Sequence, residues 1–115
     1  MTTAHRPLPG LPRDYEFPPV VRTTLDNGLR VVVAPMRRLP LVTVFASVDA
    51  GGSRDAAGEE GVATLTARAL DEGTVRLTGP AMTEQFEQLG TTLETASSWD
   101  GATARLTVTP GRLEA

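Results

Sequence analysis

Cysteine, lysine and isoleucine are absent from the 115 residues, and histidine occurs once, as His5. Without cysteine there is no disulfide, no thiolate zinc site, no iron–sulfur cluster and no thiol nucleophile. One imidazole on a proline-rich lead-in cannot build a two-His or three-His metal site. Nor can it serve as the base of a triad for Ser47, Ser53, Ser97 or Ser98. Aromatic residues make up 4%, so any core rests on Val, Leu and Ala. Positive charge is not in surplus: eleven bases, all Arg, stand against fourteen acids for a formal charge of −3, which argues against nucleic acid as a partner. The exclusive use of Arg reads as coding bias rather than a demand for guanidinium forks. No run approaches the roughly 20 apolar residues of a membrane span, and MTTAHRPLPGLPRDYEFPP has no apolar export region, so the default expectation is a cytoplasmic protein.

What is present fits one small domain. Residues 1–19 hold five of the nine prolines (Pro7, Pro9, Pro12, Pro18, Pro19) and read as an extended arm, since proline donates to neither helix nor sheet ladders. From Val20, two β-prone runs flank Asp26-Asn27-Gly28, and Asn-Gly predicts a hairpin closed by a type I′ turn. The segment Leu41–Asp49 alternates as a strand with Val42, Val44, Ala46 and Val48 on one face. Ala50–Asp55 contains two glycines but neither GxGxxG nor GxxxxGK[ST], and reads as a plain turn rather than a phosphate cradle. A helix is expected from Glu59-Glu60-Gly61 to about Glu72, stopped by Gly73, with Val62, Leu65, Ala69 and Leu70 as its buried stripe. A second runs from Pro80 to Leu89, buries Met82, Phe86 and Leu89, and ends at Gly90. Two further β-prone runs, residues 91–99 and 102–109, flank Asp100-Gly101 and predict another type I′ hairpin in which Trp99 acts as a cross-strand clamp. The order ββ, β, α, α, ββ specifies an α+β fold, a mainly antiparallel sheet with helices on one face. Pro110-Gly111 announces a further helix for which no residues remain, which suggests a truncated sequence.

Three segments in order carry a resemblance: Leu25–Val33, Val48–Ser53 and Gly61–Thr74. Together they resemble the front of an insulinase/pitrilysin-type zinc metallopeptidase domain, the group that includes the mitochondrial processing peptidase. Residues 20–115 are then a partial N-terminal peptidase domain. In active members the matching helix carries an inverted zinc motif, HxxEH, whose two imidazoles leave one helix face while the Glu activates the bound water. The resemblance puts these three positions at Thr64, Ala67 and Arg68, and none matches. Thr64 is a feeble zinc ligand, Ala67 accepts no proton, and Arg68 places a permanent positive charge where the cation would sit. The family's remaining Glu ligand would lie past Ala115.

The resemblance therefore implies no catalytic residue and no cofactor in this chain, although active relatives use zinc. It implies a silent subunit that pairs with an active insulinase-type metallopeptidase and reaches peptide substrate through that partner, with neither nucleic acid nor a membrane span. Two alternatives stay open: an active zinc metalloendopeptidase whose motif lies in a missing part of the chain, and an α+β binding module without proteolytic connection. Other residues offer little chemistry. Glu59-Glu60 and Asp71-Glu72 are adjacent on a helix, about 100° apart, and form no acid–base couple. Arg37-Arg38 reads as a solvated pair between strands. Arg68 is expected to fill the vacated position by pairing with a carboxylate of a neighbouring strand. A sheet cut before its closing helix is expected to leave apolar faces bare.

Overall fold

The computed structural model describes residues 10–12 and 14–113. The chain forms two compact units, one up to Arg38 and one from Leu39 onward. The α+β class is as expected, with two antiparallel sheets and two helices.

In the first unit, residues 10–12 and 14–20 belong to no helix or strand, and the rest of the expected arm lies outside the described residues. Tyr15 and Phe17 stack edge to face with ring centroids 4.8 Å apart. Strands β1 (Val21–Thr24) and β2 (Arg30–Val33) pair antiparallel from Val21↔Val33 to Thr24↔Arg30. The hairpin is as expected but its turn is not type I′. The Gly28 N–H donates to Leu25 O at 2.8 Å, and Gly28 alone has positive φ, +83°, whereas Asn27 does not. That is a type I turn over Asp26-Asn27 followed by a left-handed glycine, closed by the Leu25 N–H donating to Leu29 O at 2.9 Å. The Asn27 side chain acts as an acceptor instead, taking the Leu29 N–H at 3.0 Å.

In the second unit, β3 (Val42–Val48), β4 (Glu94–Ser97) and β5 (Ala102–Val108) form a sheet ordered β3-β5-β4. The register Val48↔Ala102 and Ser97↔Ala102, with Ala46↔Ala104 and Thr95↔Ala104, gathers the small residues of β4 and β5 beside the β3 valines on one face. The other face carries a Thr43–Thr107 hydroxyl pair at 2.9 Å and an Arg105–Glu94 ion pair at 3.6 Å. Val108 is buried and Arg105 exposed, as the alternation on β5 requires.

Helix α1 (Val62–Ala69) packs on β4 and β5. It is shorter than the sequence predicts, and Glu59-Glu60 lie outside it. The reason is Gly61, whose φ of +105° cannot be helical, so the first turn begins after it. Its buried stripe is also not the expected one. Ala63 and Ala67 are buried, while Val62, Leu65 and Leu70 are 46%, 69% and 45% exposed. Side chains as small as alanine let the helix axis approach the alanine-rich strands, which turns the larger aliphatics outward.

Helix α2 (Gly79–Leu89) follows the sequence reading closely: Pro80 in the first turn, Met82 buried, Phe86 and Leu89 half-buried. Gly90, at φ +73°, ends it. The Gly90 N–H reaches Glu87 O at 2.9 Å and the Thr91 N–H reaches Phe86 O at 3.0 Å, a Schellman cap. That cap consumes the start of the expected strand, so β4 begins only at Glu94.

Candidate functional site

The helix face that the resemblance singles out is built from outside the helix. Asp55 sits just past a 3₁₀ turn (Gly52–Arg54), and its carboxylate accepts the Gly61 N–H at 2.7 Å and the Ala63 N–H at 2.9 Å. One side chain thereby satisfies two of the orphan donors at the start of α1. Glu60, the residue expected in the first turn, instead accepts the Gly58 N–H at 3.0 Å. That bond, with one from its own backbone N–H, holds its carboxyl below the ordinary value.

Thr64 and Arg68 lie one turn apart on α1, and Ala67 lies between them on the side turned to the sheet. Ala67 is 2% exposed. The Thr64 and Ser97 hydroxyls are 3.0 Å apart, a bond between α1 and β4 across 33 positions of sequence. Arg68 is exposed. The ion pairs among the described residues are Arg54–Asp49 and Arg105–Glu94, so the expected pairing of Arg68 with a strand carboxylate does not occur there. The structure thus joins Thr64 to Ser97, buries Ala67 and leaves Arg68 in solvent.

This donor set does not fit zinc. Ala67 has no donor atom, the Thr64 oxygen is engaged with Ser97, and Arg68 brings a cation. Among the described residues no three His, Cys, Asp or Glu side chains are grouped as a metal site would need. The paired carboxylates flanking α1 are separate as well, since Glu59 and Glu60 lie in the turn before the helix and Asp71 and Glu72 in the turn after it. Arg37 and Arg38 are exposed in a turn. A shallow cavity of about 550 Å³ is lined by Thr74, Val75, Arg76, Leu77 and Gln85, and includes none of the three motif positions.

Beside the site, the end of the sheet is fixed by backbone contacts. The Gly52 and Ser53 N–H groups donate to Ser98 O and Trp99 O at 2.9 and 2.8 Å. The Arg54 guanidinium bonds Asp49, and this bond together with the Asp49 charge raises its pKa further. The Asp100-Gly101 turn is not type I′, because neither residue has positive φ; the Ser98 N–H closes it on Gly101 O at 2.8 Å. Gly101 is needed for closeness instead: a Cβ there would lie 2.8 Å from Val48 O. Trp99 is 73% exposed and so is not the expected clamp. Its carbonyl accepts the Ser53 N–H, and its ring lies near Gly52, 3.8 Å from where a Cβ on that residue would stand.

What the sequence reading missed is Asp55 and Ser97. Asp55 stands six residues before the first amide it caps, beyond the reach of an ordinary capping pattern. Ser97 had no local signal at all.

Among the described residues β4 pairs with β5, and no strand pairs along its other edge. No helix of the described residues is long and apolar enough to cross a membrane.

No family model matches the chain, and no curated protein matches it. Among solved structures, the chain is similar to the crystal structure of a peptidase M16 inactive domain from Pseudomonas fluorescens, with a TM-score of 0.74 and 30% identity. The match covers 79% of this chain and 22% of that one. This likeness to an inactive peptidase domain supports the insulinase-type resemblance that the segments around Asn27-Gly28, Gly51-Gly52 and Gly61–Thr74 carry.

Proposed function

We propose that the chain is part of a non-catalytic insulinase-family homologue that pairs with an active zinc metallopeptidase and helps enclose its peptide substrate. The observation that carries this reading is Ala67: where a water-activating carboxylate would stand, the chain has a methyl group that is 2% exposed. The neighbouring inactive peptidase domain supports the same reading.

Two features support a binding role. The edge of β4 away from β5 has no strand partner among the described residues, and an extended peptide can add to such an edge through main-chain hydrogen bonds. Exposed apolar side chains on both faces of β3, Val44 and Val48 on one and Phe45 on the other, offer surface for a protein partner. A location in the cytoplasm accompanies this reading.

The test is co-expression of the full-length protein with an HxxEH-bearing peptidase of the same organism, followed by size exclusion and peptide-cleavage assays. Co-elution, with cleavage only in fractions that hold the partner, supports the proposal. Cleavage by the purified full-length protein alone, abolished by a chelator, would favour an active enzyme whose motif lies elsewhere in the polypeptide. Absence of any complex would favour a binding module unconnected with proteolysis.

A further inference from the structure

We infer that the side of α1 bearing positions 64 and 67 has become a helix–strand seal: Ala67 closes it by packing, and Thr64 pins it to Ser97. The inference deepens the non-catalytic reading and rests on it. Lacking a zinc motif is one thing; having built the position of the base into the core is another, because the second blocks the motif's return.

The geometry separates the three positions. Ala67 and Ala63, one turn apart, are the buried residues of α1, and the helix packs chiefly on β4. Ser97 shares its sheet face with Ala102, so a hydroxyl bond from Thr64 to Ser97 fixes α1 above that small-residue patch. A carboxylate at position 67, where the present side chain is 2% exposed, would be pressed against this patch, and burying an unpaired charge is strongly unfavourable. Positions 64 and 68 are exposed and tolerate larger side chains. The obstacle to restoring a metal-and-base site is thus concentrated at the position of the base.

Hydrogen exchange on the full-length protein tests this. Ala67→Glu should lower amide protection over residues 62–69 and 94–97 by at least about a hundredfold. Thr64→Val, which keeps the shape and removes the hydroxyl, should lower it about threefold to tenfold over the same two segments. The pair Thr64→His with Arg68→His should do no more than Thr64→Val. Should Ala67→Glu unfold the whole protein, Ala67→Val, which adds volume without charge, should still lower protection locally by about tenfold. Leu65→Glu, at a position 69% exposed, serves as the control and should leave both segments unchanged. Protection within about threefold of wild type in Ala67→Glu or Ala67→Val would overturn the seal. Equal losses in Ala67→Glu and Leu65→Glu would also overturn it. Failure to find a peptidase partner leaves this exchange pattern intact, so the two readings fail separately.

Discussion

Gly51 and Gly101 meet backbone to backbone where the end of β3 passes the β4–β5 turn. A Cβ on Gly51 would fall 2.5 Å from Trp99 O and closer still to Gly101 N, and one on Gly101 would fall 2.8 Å from Val48 O. The contact joins segments 50 residues apart in sequence and brings the 3₁₀ turn within hydrogen-bonding range of Ser98 and Trp99. Asp55, the cap of α1, follows directly from that turn.

Gly51→Ala and Gly101→Ala should therefore each destabilise the protein by about 2–3 kcal/mol, as overpacking against backbone does. Gly111→Ala, which meets nothing within 4 Å, should be nearly neutral. Urea unfolding of the three variants checks this, and equal effects at Gly101 and Gly111 would contradict the close approach.

Asp55→Ala should cost about 1–2 kcal/mol, because two amides at the start of α1 lose their acceptor. Glu59→Ala should change stability by less than about 0.5 kcal/mol, since Glu59 precedes the helix and is exposed. Thermal unfolding of both variants distinguishes this arrangement from a helix that begins at Glu59.

Glu60 supplies a pH test. Its carboxyl is held below the ordinary 4.5 by the Gly58 N–H and its own, so the folded state favours the charged form. The contribution is then fully present above pH 4.5 and is lost as pH falls through the lower folded value. The stability difference between wild type and Glu60→Gln should be constant near neutrality and shrink below about pH 4.5. A difference that grows on acidification would show the sign to be wrong.

These sites also show how far the sequence could be read. Alternation gave β3 and β5, and Pro80, Met82, Phe86 and Gly90 gave α2 nearly to the residue, because those signals are local and agree with one another. Helix α1 departs from the sequence signals at its start and on its buried face. Acids at positions 59 and 60 imitate a first turn, and Val62, Leu65 and Leu70 outweigh two alanines in any count of apolarity. Which side is buried was decided by small residues on strands more than 25 positions later, notably Ala102 and Ala104, beyond the reach of periodicity. Asn-Gly and Asp-Gly identify both turns but not their geometry: Gly28 alone takes positive φ in the first, and neither residue does in the second. The candidate site was legible as three substitutions, Thr64, Ala67 and Arg68. Its partner Ser97 was not, since a bond across 33 positions leaves no mark in either segment.

Exposed apolar residues on β3 lead to a further expectation. The strand lies at a sheet edge, holds no charge or proline, and leaves Val44, Phe45 and Val48 between 45% and 61% exposed. Residues 1–115 alone should self-associate with rising concentration, and Phe45→Lys should raise the monomer fraction in sedimentation velocity. A monomeric, reversible melt of wild-type residues 1–115 at every concentration would contradict this.

Zinc content is the most direct measurement of the central claim. Full-length wild type and a Thr64→Ala/Arg68→Ala variant, both extensively dialysed, are compared by elemental analysis. The expected result is the same zinc content in the two proteins, with none attributable to positions 64–68. Stoichiometric zinc in the wild type that disappears in the variant would contradict a sealed, metal-free α1 face.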